Sequence, residues 1–592
     1  MPSIRFLFPI ARKFLSLLAL ASLAGIGASA LAQQPAPAFS QIIVFGDSLS
    51  DTGNVRDRTG SSSGGVVDYP SHTFNYSDGR FTNDNQTDPS SALYAGVWHE
   101  QLAQTFLGLA PASYSLGGGA NSAFGGATTN DGTHDEVAVS TPFGDVTITV
   151  NDMGKQMDDY LASHTIDPSA LYVVWGGGND LRNDDSTGNV TATAIRATAL
   201  AGRLANAGAQ YIMVPNVPPL GDIPRYLNDP ERVTSLNFAS ANYRQELNAN
   251  LDALLGSLAP QGITPTIYRP DPWTNTIRIF SDGLRYGFVN TYAPAQDNNV
   301  NPDQFLFWDD VHPTTSGHYQ LAKAAYDTIL VPPAPSSKAL NIATRVFVDT
   351  GERVPIAGFI IAGDVPKKVL IRGIGPSLAA HGVPTPLADP TLTLFDNKGG
   401  TIMMNDNWRD SHEAEIMATG LPPQNDLESA IVADLPPGHF TTALTGINAT
   451  TGNGLIEVYD LEPDNSSLAN LSTRGFVGTG DNILIAGIII GNGDSPIVVL
   501  RAIGPSLANS GIANPLLDPT IELHDGDGAL LGFNDDWRSP QLQAVNATLL
   551  APTDDRESAI VAPFLAPGNY TAVVRGKADT TGVALVEAYR IP

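Results

Sequence analysis

The chain has 592 residues, 42% of them hydrophobic, and a formal net charge of −28. That length exceeds what one hydrophobic core serves, so several domains are expected. So acidic a chain is not built to hold nucleic acid or an anionic membrane surface by bulk electrostatics. The absence of cysteine excludes disulfides, thiolate metal sites, a cysteine nucleophile and a lipid anchor on an N-terminal cysteine.

Residues 1–32 read as a secretory signal peptide. Arg5, Arg12 and Lys13 supply the positive region, residues 14–28 the apolar one, and Ala30-Leu31-Ala32 a small-residue cleavage site before Gln33. The expected location is secreted or extracytoplasmic, in the periplasm or at the cell surface. No transmembrane segment is expected in the mature chain. Residues 483–490 are apolar, but short and β-branched, as in a buried strand.

After a short Pro/Ala leader, residues 39–331 form the first domain. Ile42-Ile43-Val44-Phe45, Leu171-Tyr172-Val173-Val174-Trp175 and Tyr211-Ile212-Met213-Val214 read as buried strands, the first two running into glycine. Helical stretches such as 191–207 and 238–258 lie between and after them. That alternation predicts an α/β fold, a parallel sheet with helices on both faces. Its ligand site is expected outside the carboxyl ends of the strands.

Pro332-Pro333-Ala334-Pro335-Ser336-Ser337 then breaks the pattern, and residues 332–338 read as a linker. Beyond it the sequence repeats. Arg372-Gly373-Ile374-Gly375-Pro376-Ser377-Leu378 returns as Arg501-Ala502-Ile503-Gly504-Pro505-Ser506-Leu507. Asn405-Asp406-Asn407-Trp408 returns as Asn534-Asp535-Asp536-Trp537, and Glu428-Ser429-Ala430-Ile431-Val432 as Glu557-Ser558-Ala559-Ile560-Val561. The offset is 129 residues each time, as from Arg372 to Arg501. Two all-β, sandwich-like repeats follow, 339–462 and 471–592, separated by a second linker at 463–470. Each is expected to build its own core. The Asn-Asp-Asn-Trp and Asn-Asp-Asp-Trp motifs offer oxygen ligands that calcium could take, but Asn and Asp are equally common in turns, and no full ligand set is readable. No pair of histidines has zinc-ligand spacing.

Gly46-Asp47-Ser48-Leu49-Ser50-Asp51-Thr52-Gly53-Asn54 follows the first strand directly. A serine on a strand-to-helix turn is exposed at the sheet edge, where a nucleophile belongs; an ordinary Asp-Ser helix cap is the alternative. A second Gly493-Asp494-Ser495 precedes its strand and reads as a turn. Gly60-Ser61-Ser62-Ser63-Gly64 matches G-x-S-x-G but lies in a loop without a preceding strand.

Together with Asn121-Ser122-Ala123-Phe124-Gly125-Gly126, Gly177-Gly178-Asn179-Asp180 and Asp309-Asp310-Val311-His312-Pro313, the first block resembles the four blocks of the GDSL (SGNH) hydrolases, in the family's order. The likeness covers about residues 39–330, and 214–221 also resemble the family's segment between the third and last blocks. It implies a flavodoxin-like hydrolase domain with Ser48 as nucleophile, His312 as base and Asp309 as orienting acid. An oxyanion hole is implied at the Ser48 and Gly126 amides and the Asn179 side chain. The resemblance favours Asp309 over Asp310. No cofactor is implied.

The chemistry suits these residue types. A serine hydroxyl needs a base, histidine titrates near neutrality, and a carboxylate three residues earlier on a helical turn faces the same side. The expected function is a secreted serine esterase or lipase cleaving carboxylic esters through an acyl-enzyme. Its substrate is a lipid or acetylated-sugar ester. Polysaccharide or cell-surface contact through the β-repeats, raising avidity, is a further expectation. The alternatives are a deacetylase of acetylated polysaccharide and a surface-binding protein with a relic hydrolase domain. Some family members carry a C-terminal membrane barrel. Here the sequence stops at Ala588-Tyr589-Arg590-Ile591-Pro592, in the second repeat, and a soluble or surface-associated protein is expected.

Overall fold

The computed structural model describes residues 38–83, 94–142, 144–296, 298–330, 338–462 and 467–591. Residues 1–32, expected to be a signal peptide, and most of the expected linker 332–338 lie outside them. The chain divides into two compact units, with the boundary between Pro333 and Ala334.

The first unit is a three-layer α/β structure. Its strands in chain order are β1 (Ile42–Gly46), the hairpin β2 (Thr133–Thr141) and β3 (Gly144–Asn151), β4 (Leu171–Trp175), β5 (Tyr211–Met213), β6 (Thr266–Tyr268), and the parallel pair β7 (Asn290–Pro294) and β8 (Phe305–Phe307). The central sheet is parallel, in the order β1-β4-β5-β6. An extended segment continues it beyond β1. Val44 N–H donates to Ala120 O, and the N–H groups of Ser122 and Phe124 donate to Val44 O and Gly46 O. With that segment the order is the flavodoxin-like one expected.

β1 and β4 are wholly buried, and their alternate residues feed two separate cores, which is why they read as continuous apolar runs. Ile43, Phe45, Tyr172 and Val174 pack against helices Met153–Ser163, Thr187–Ala207 and Pro230–Leu258. Ile42, Val44, Leu171 and Val173 face Trp98, Leu102 and helix Thr315–Leu330. The long helices begin where side chains satisfy free N–H groups: Ser186 accepts from Asn189, and Asp229 from Arg232 with Pro230 in the first turn. Gly60-Ser61-Ser62, read as loop, instead closes helix Asn54–Ser62.

The second unit corrects the expectation of two self-contained repeats. In chain order the first repeat gives β9 (Ala339–Val348), β10 (Ile356–Ala362), β11 (Lys367–Ile374), β12 (Pro390–Phe395), β13 (Thr401–Asn405), β14 (Ser429–Leu435), β15 (Gly438–Gly446) and β16 (Gly452–Asp460). The second gives β17 (Ser467–Val477), β18 (Leu484–Ile490), β19 (Ile497–Ile503), β20 (Pro519–His524), β21 (Leu530–Asn534), β22 (Ser558–Ala562), β23 (Gly568–Gly576) and β24 (Gly582–Ile591). Hydrogen bonding runs β14-β11-β16-β9-β18-β23-β20-β21 and β22-β19-β24-β17-β10-β15-β12-β13. Each run takes half its strands from each repeat.

The open edges β9 and β10 of one repeat are thus closed by β18 and β17 of the other, which removes aggregation-prone edges. Thr344 and Thr473, equivalent positions 129 residues apart, hydrogen-bond to each other at 2.8 Å where the copies meet. One apolar core draws on both repeats, while a smaller one around Leu370, Trp408 and Tyr459 lies within the first. The expected linker 463–470 is shorter than read, because β17 begins at Ser467 with Leu468 buried.

The repeated motifs are fasteners. Glu428, fully buried, accepts from the N–H groups of Gly375 and Ser377 and from the Ser377 hydroxyl, and Glu557 does the same for Gly504 and Ser506. Asn405 and Asn534 accept the N–H groups of Ala430 and Ala559. Arg372 pairs with Glu457, and Arg501 with Glu587. Among the described residues no group of three or more His, Asp or Glu could hold a metal ion. No helix among them is long and apolar enough to cross a membrane.

Candidate active site

The four sequence blocks meet at the carboxyl ends of β1 and β4. Ser48 sits on a tight turn just after β1, where the Ser50 and Asp51 N–H groups both return to Asp47 O. The turn does not lead at once into a helix; the helix starts at Asn54. The intervening Asp51 is buried, and it accepts from the N–H groups of Gly53, Asn54, Val55 and Gly125. One carboxylate therefore ties the Ser48 turn to the Gly125-Gly126 loop.

Ser48 Oγ lies 2.8 Å from His312 Nε2, and His312 Nδ1 lies 2.7 Å from Asp309 Oδ2. With Nδ1–H donating to the carboxylate, Nε2 is left to accept the serine proton. Residues 308–312 are not helical, contrary to the helical-turn expectation. Asp309 Oδ1 accepts the N–H groups of Val311 (2.7 Å) and His312 (2.6 Å), and this Asx turn brings the histidine ring over its own carboxylate. Burial alone would raise the Asp309 pKa. The neighbouring imidazole and these hydrogen bonds outweigh it and hold the carboxyl at about 2. Asp310 points elsewhere, pairing with Arg225 through two contacts of 2.8 and 2.9 Å.

Gly126 and Asn179 border the same recess as Ser48 and His312. The N–H groups of Ser48 and Gly126 have no hydrogen-bond partner among the described residues. Gly126 holds φ +84°, a backbone conformation that favours glycine, and the Glu136 carboxylate lies over it. The Asn179 amide is oriented from both ends: Nδ2 donates to Ala127 O (3.0 Å), and Oδ1 accepts from Arg182 Nη1 (3.3 Å). The helix-cap reading of Asn179 is not realised; Gly177 precedes helix Gly178–Asn183 without a side-chain cap. Asp180, buried, accepts from Thr129 and Arg196, and so fastens the Gly126 loop to the Asn179 helix.

Three contributors escaped the sequence reading. Tyr76 donates its hydroxyl to Asp309 Oδ2 at 2.7 Å. The Phe81 ring stacks on His312 with centroids 5.0 Å apart. Glu136 reaches the recess from the β2–β3 hairpin, and burial raises its pKa. Tyr76 and Phe81 lie more than 200 residues from the last block, and no local pattern marks them. Asp51 was within the first block, and a signal for it was available there.

Residues 42–325 match the family model described as GDSL-like Lipase/Acylhydrolase. A Pseudomonas putida protein described as uncharacterized, from the trpE-trpG intergenic region, is 29% identical over 333 residues, covering 53% of this chain and 52% of the relative. Lipase 1 of Photorhabdus luminescens is 26% identical over 405 residues, covering 56% and 54%. Esterase EstA of Pseudomonas aeruginosa is 27% identical over 332 residues, covering 51% and 48%. The chain spans about half the length of each of these relatives. Through residues 42–325, this chain carries a domain that matches the GDSL-like lipase/acylhydrolase family.

Proposed function

We propose that the protein is a secreted carboxylic-ester hydrolase working through an acyl-enzyme on Ser48. The observation that carries this reading is the unbroken hydrogen-bonded line Ser48–His312–Asp309, with Gly126 and Asn179 beside the same serine. In the first half-reaction Ser48 Oγ attacks the ester carbonyl carbon and its proton passes to His312 Nε2. Asp309 holds the imidazolium. The carbonyl oxygen becomes an oxyanion that accepts from the Ser48 and Gly126 N–H groups and from Asn179 Nδ2. The carbon–alkoxide bond then breaks, and His312 returns the proton to the leaving alcohol. In the second half, water gives a proton to His312 and attacks the acyl carbon. Collapse releases the carboxylic acid and restores Ser48.

Secretion rests on the signal-like residues 1–32; exported protein should begin at Gln33 on N-terminal sequencing. Activity is tested with Ser48→Ala, assayed on a soluble aryl ester beside circular dichroism. Turnover should fall by about 10³-fold or more with the spectrum unchanged. A folded variant with undiminished turnover would end the reading.

A further inference from the structure

Ser48 and His312 open onto two unlike spaces. One is a cavity of about 90 Å³ that Ser48 also lines, walled by Val217, Leu220, Ile279, Phe280, Leu306 and Leu321. These come from the segment after β5, helix Pro272–Ser281, β8 and helix Thr315–Leu330, all packed around the carboxyl end of the sheet. Beyond the catalytic end, where Asp47, Asn179 and Arg182 stand, its one polar side chain is Thr276. The other space is the recess on the Gly126 side, bordered by Tyr69, Glu136, Arg182 and Arg225.

We propose that the cavity walled by Val217, Ile279 and Phe280 is an acyl-chain site for a linear saturated chain of several carbons, longer than acetyl. The recess at Glu136 then takes a polar alcohol. This inference rests on the hydrolase reading and adds its substrate class. A hydrocarbon chain makes no hydrogen bonds, so it gains from the first wall and leaves nothing unpaired there. A hydroxylated alcohol would strand its polar groups against the same wall, whereas the recess offers a carboxylate, a phenol and guanidinium groups. The cavity, about 90 Å³, is several times the ~10–15 Å³ that one water needs, which is room for more than a two-carbon acyl group. An acetyl group would leave most of the cavity unfilled.

The test uses the full chain with 4-nitrophenyl esters from acetate to dodecanoate, and with the isomers ethyl hexanoate and hexyl acetate. Each sheltered methylene should add about fourfold to kcat/KM, giving a rise of roughly 10²-fold from acetate to hexanoate and a plateau once the chain outgrows the cavity. Ethyl hexanoate should be preferred to hexyl acetate. Val217→Phe and Ile279→Trp should each lower the hexanoate-to-acetate ratio at least about tenfold; if either fails to fold, the parent's chain-length profile decides alone. A profile that is flat or highest at acetate overturns the acyl site and leaves the hydrolase reading standing. A preference for hexyl acetate overturns the assignment of sides. Hydrolysis of none of these esters overturns the hydrolase reading, and the acyl site with it.

Discussion

Two adjacent aspartates separate sharply in this site, and replacing each by asparagine tests the geometry directly. In Asp309→Asn the amide oxygen can keep the N–H bonds of Val311 and His312, so the turn should survive. The amide nitrogen then replaces the oxygen that faces His312 Nδ1. As a donor it can only meet Nδ1 as an acceptor, which moves the ring proton to Nε2, the atom that must take the proton of Ser48. The wrong tautomer and the lost counter-charge should lower kcat by about 10³- to 10⁴-fold. Asp310→Asn removes only an ion pair with Arg225 in which the two side chains are 50% and 41% exposed, a contact contributing no more than about 1 kcal/mol. Its kcat should stay within about threefold of the parent. The assay is steady-state hydrolysis of a soluble aryl ester, with melting curves to establish folding. Equal losses in the two variants, or an Asp309→Asn protein within tenfold of the parent, would refute the reasoning.

Asn179→Ala should lower kcat by about 10²-fold or more with a smaller change in KM; an effect on KM alone would remove it from the oxyanion hole. Asp47 is buried beside Ser48, and burial raises its pKa to about 6. The folded chain then keeps this proton between about pH 4 and 6 where the unfolded chain has lost it. That contribution is full below about pH 4 and is lost as pH rises through 6. Asp47→Asn cannot ionise, so its stability relative to the parent should improve by about 3 kcal/mol between pH 4 and 8, as read by denaturant melts; a pH-independent difference would contradict the burial argument. A chain ending at Leu330 should keep aryl-ester activity, since the triad and the cavity lie within residues 47–321. One ending at Glu462 uncovers β9 and β10 and should aggregate; a stable monomer would show that each repeat is self-sufficient.

What was legible in the sequence was what local pattern encodes. β1 and β4 are unbroken apolar runs because both faces are covered, and the motifs that end them fall at the sheet's carboxyl edge. β6 escaped because Thr266–Tyr268 is three residues between prolines. The β2–β3 hairpin escaped although β3 alternates Val146, Ile148 and Val150 with Thr147 and Thr149, a legible strand pattern; only its partner β2 is largely exposed. The contacts from Tyr76 and Phe81 depend on tertiary placement. The joined repeats show the same limit: the 129-residue offset is plain in the sequence, but which edge β9 meets is a long-range choice that no residue of β9 declares.

The central claim, that Ser48 is the nucleophile, is tested most directly by covalent trapping. The protein is treated with an alkyl fluorophosphonate, digested and mapped by mass spectrometry. The account predicts one adduct per chain on Ser48, absent in Ser48→Ala and formed far more slowly in His312→Ala. An adduct on Ser50, Ser495 or another serine, with Ser48 unmodified, would contradict it.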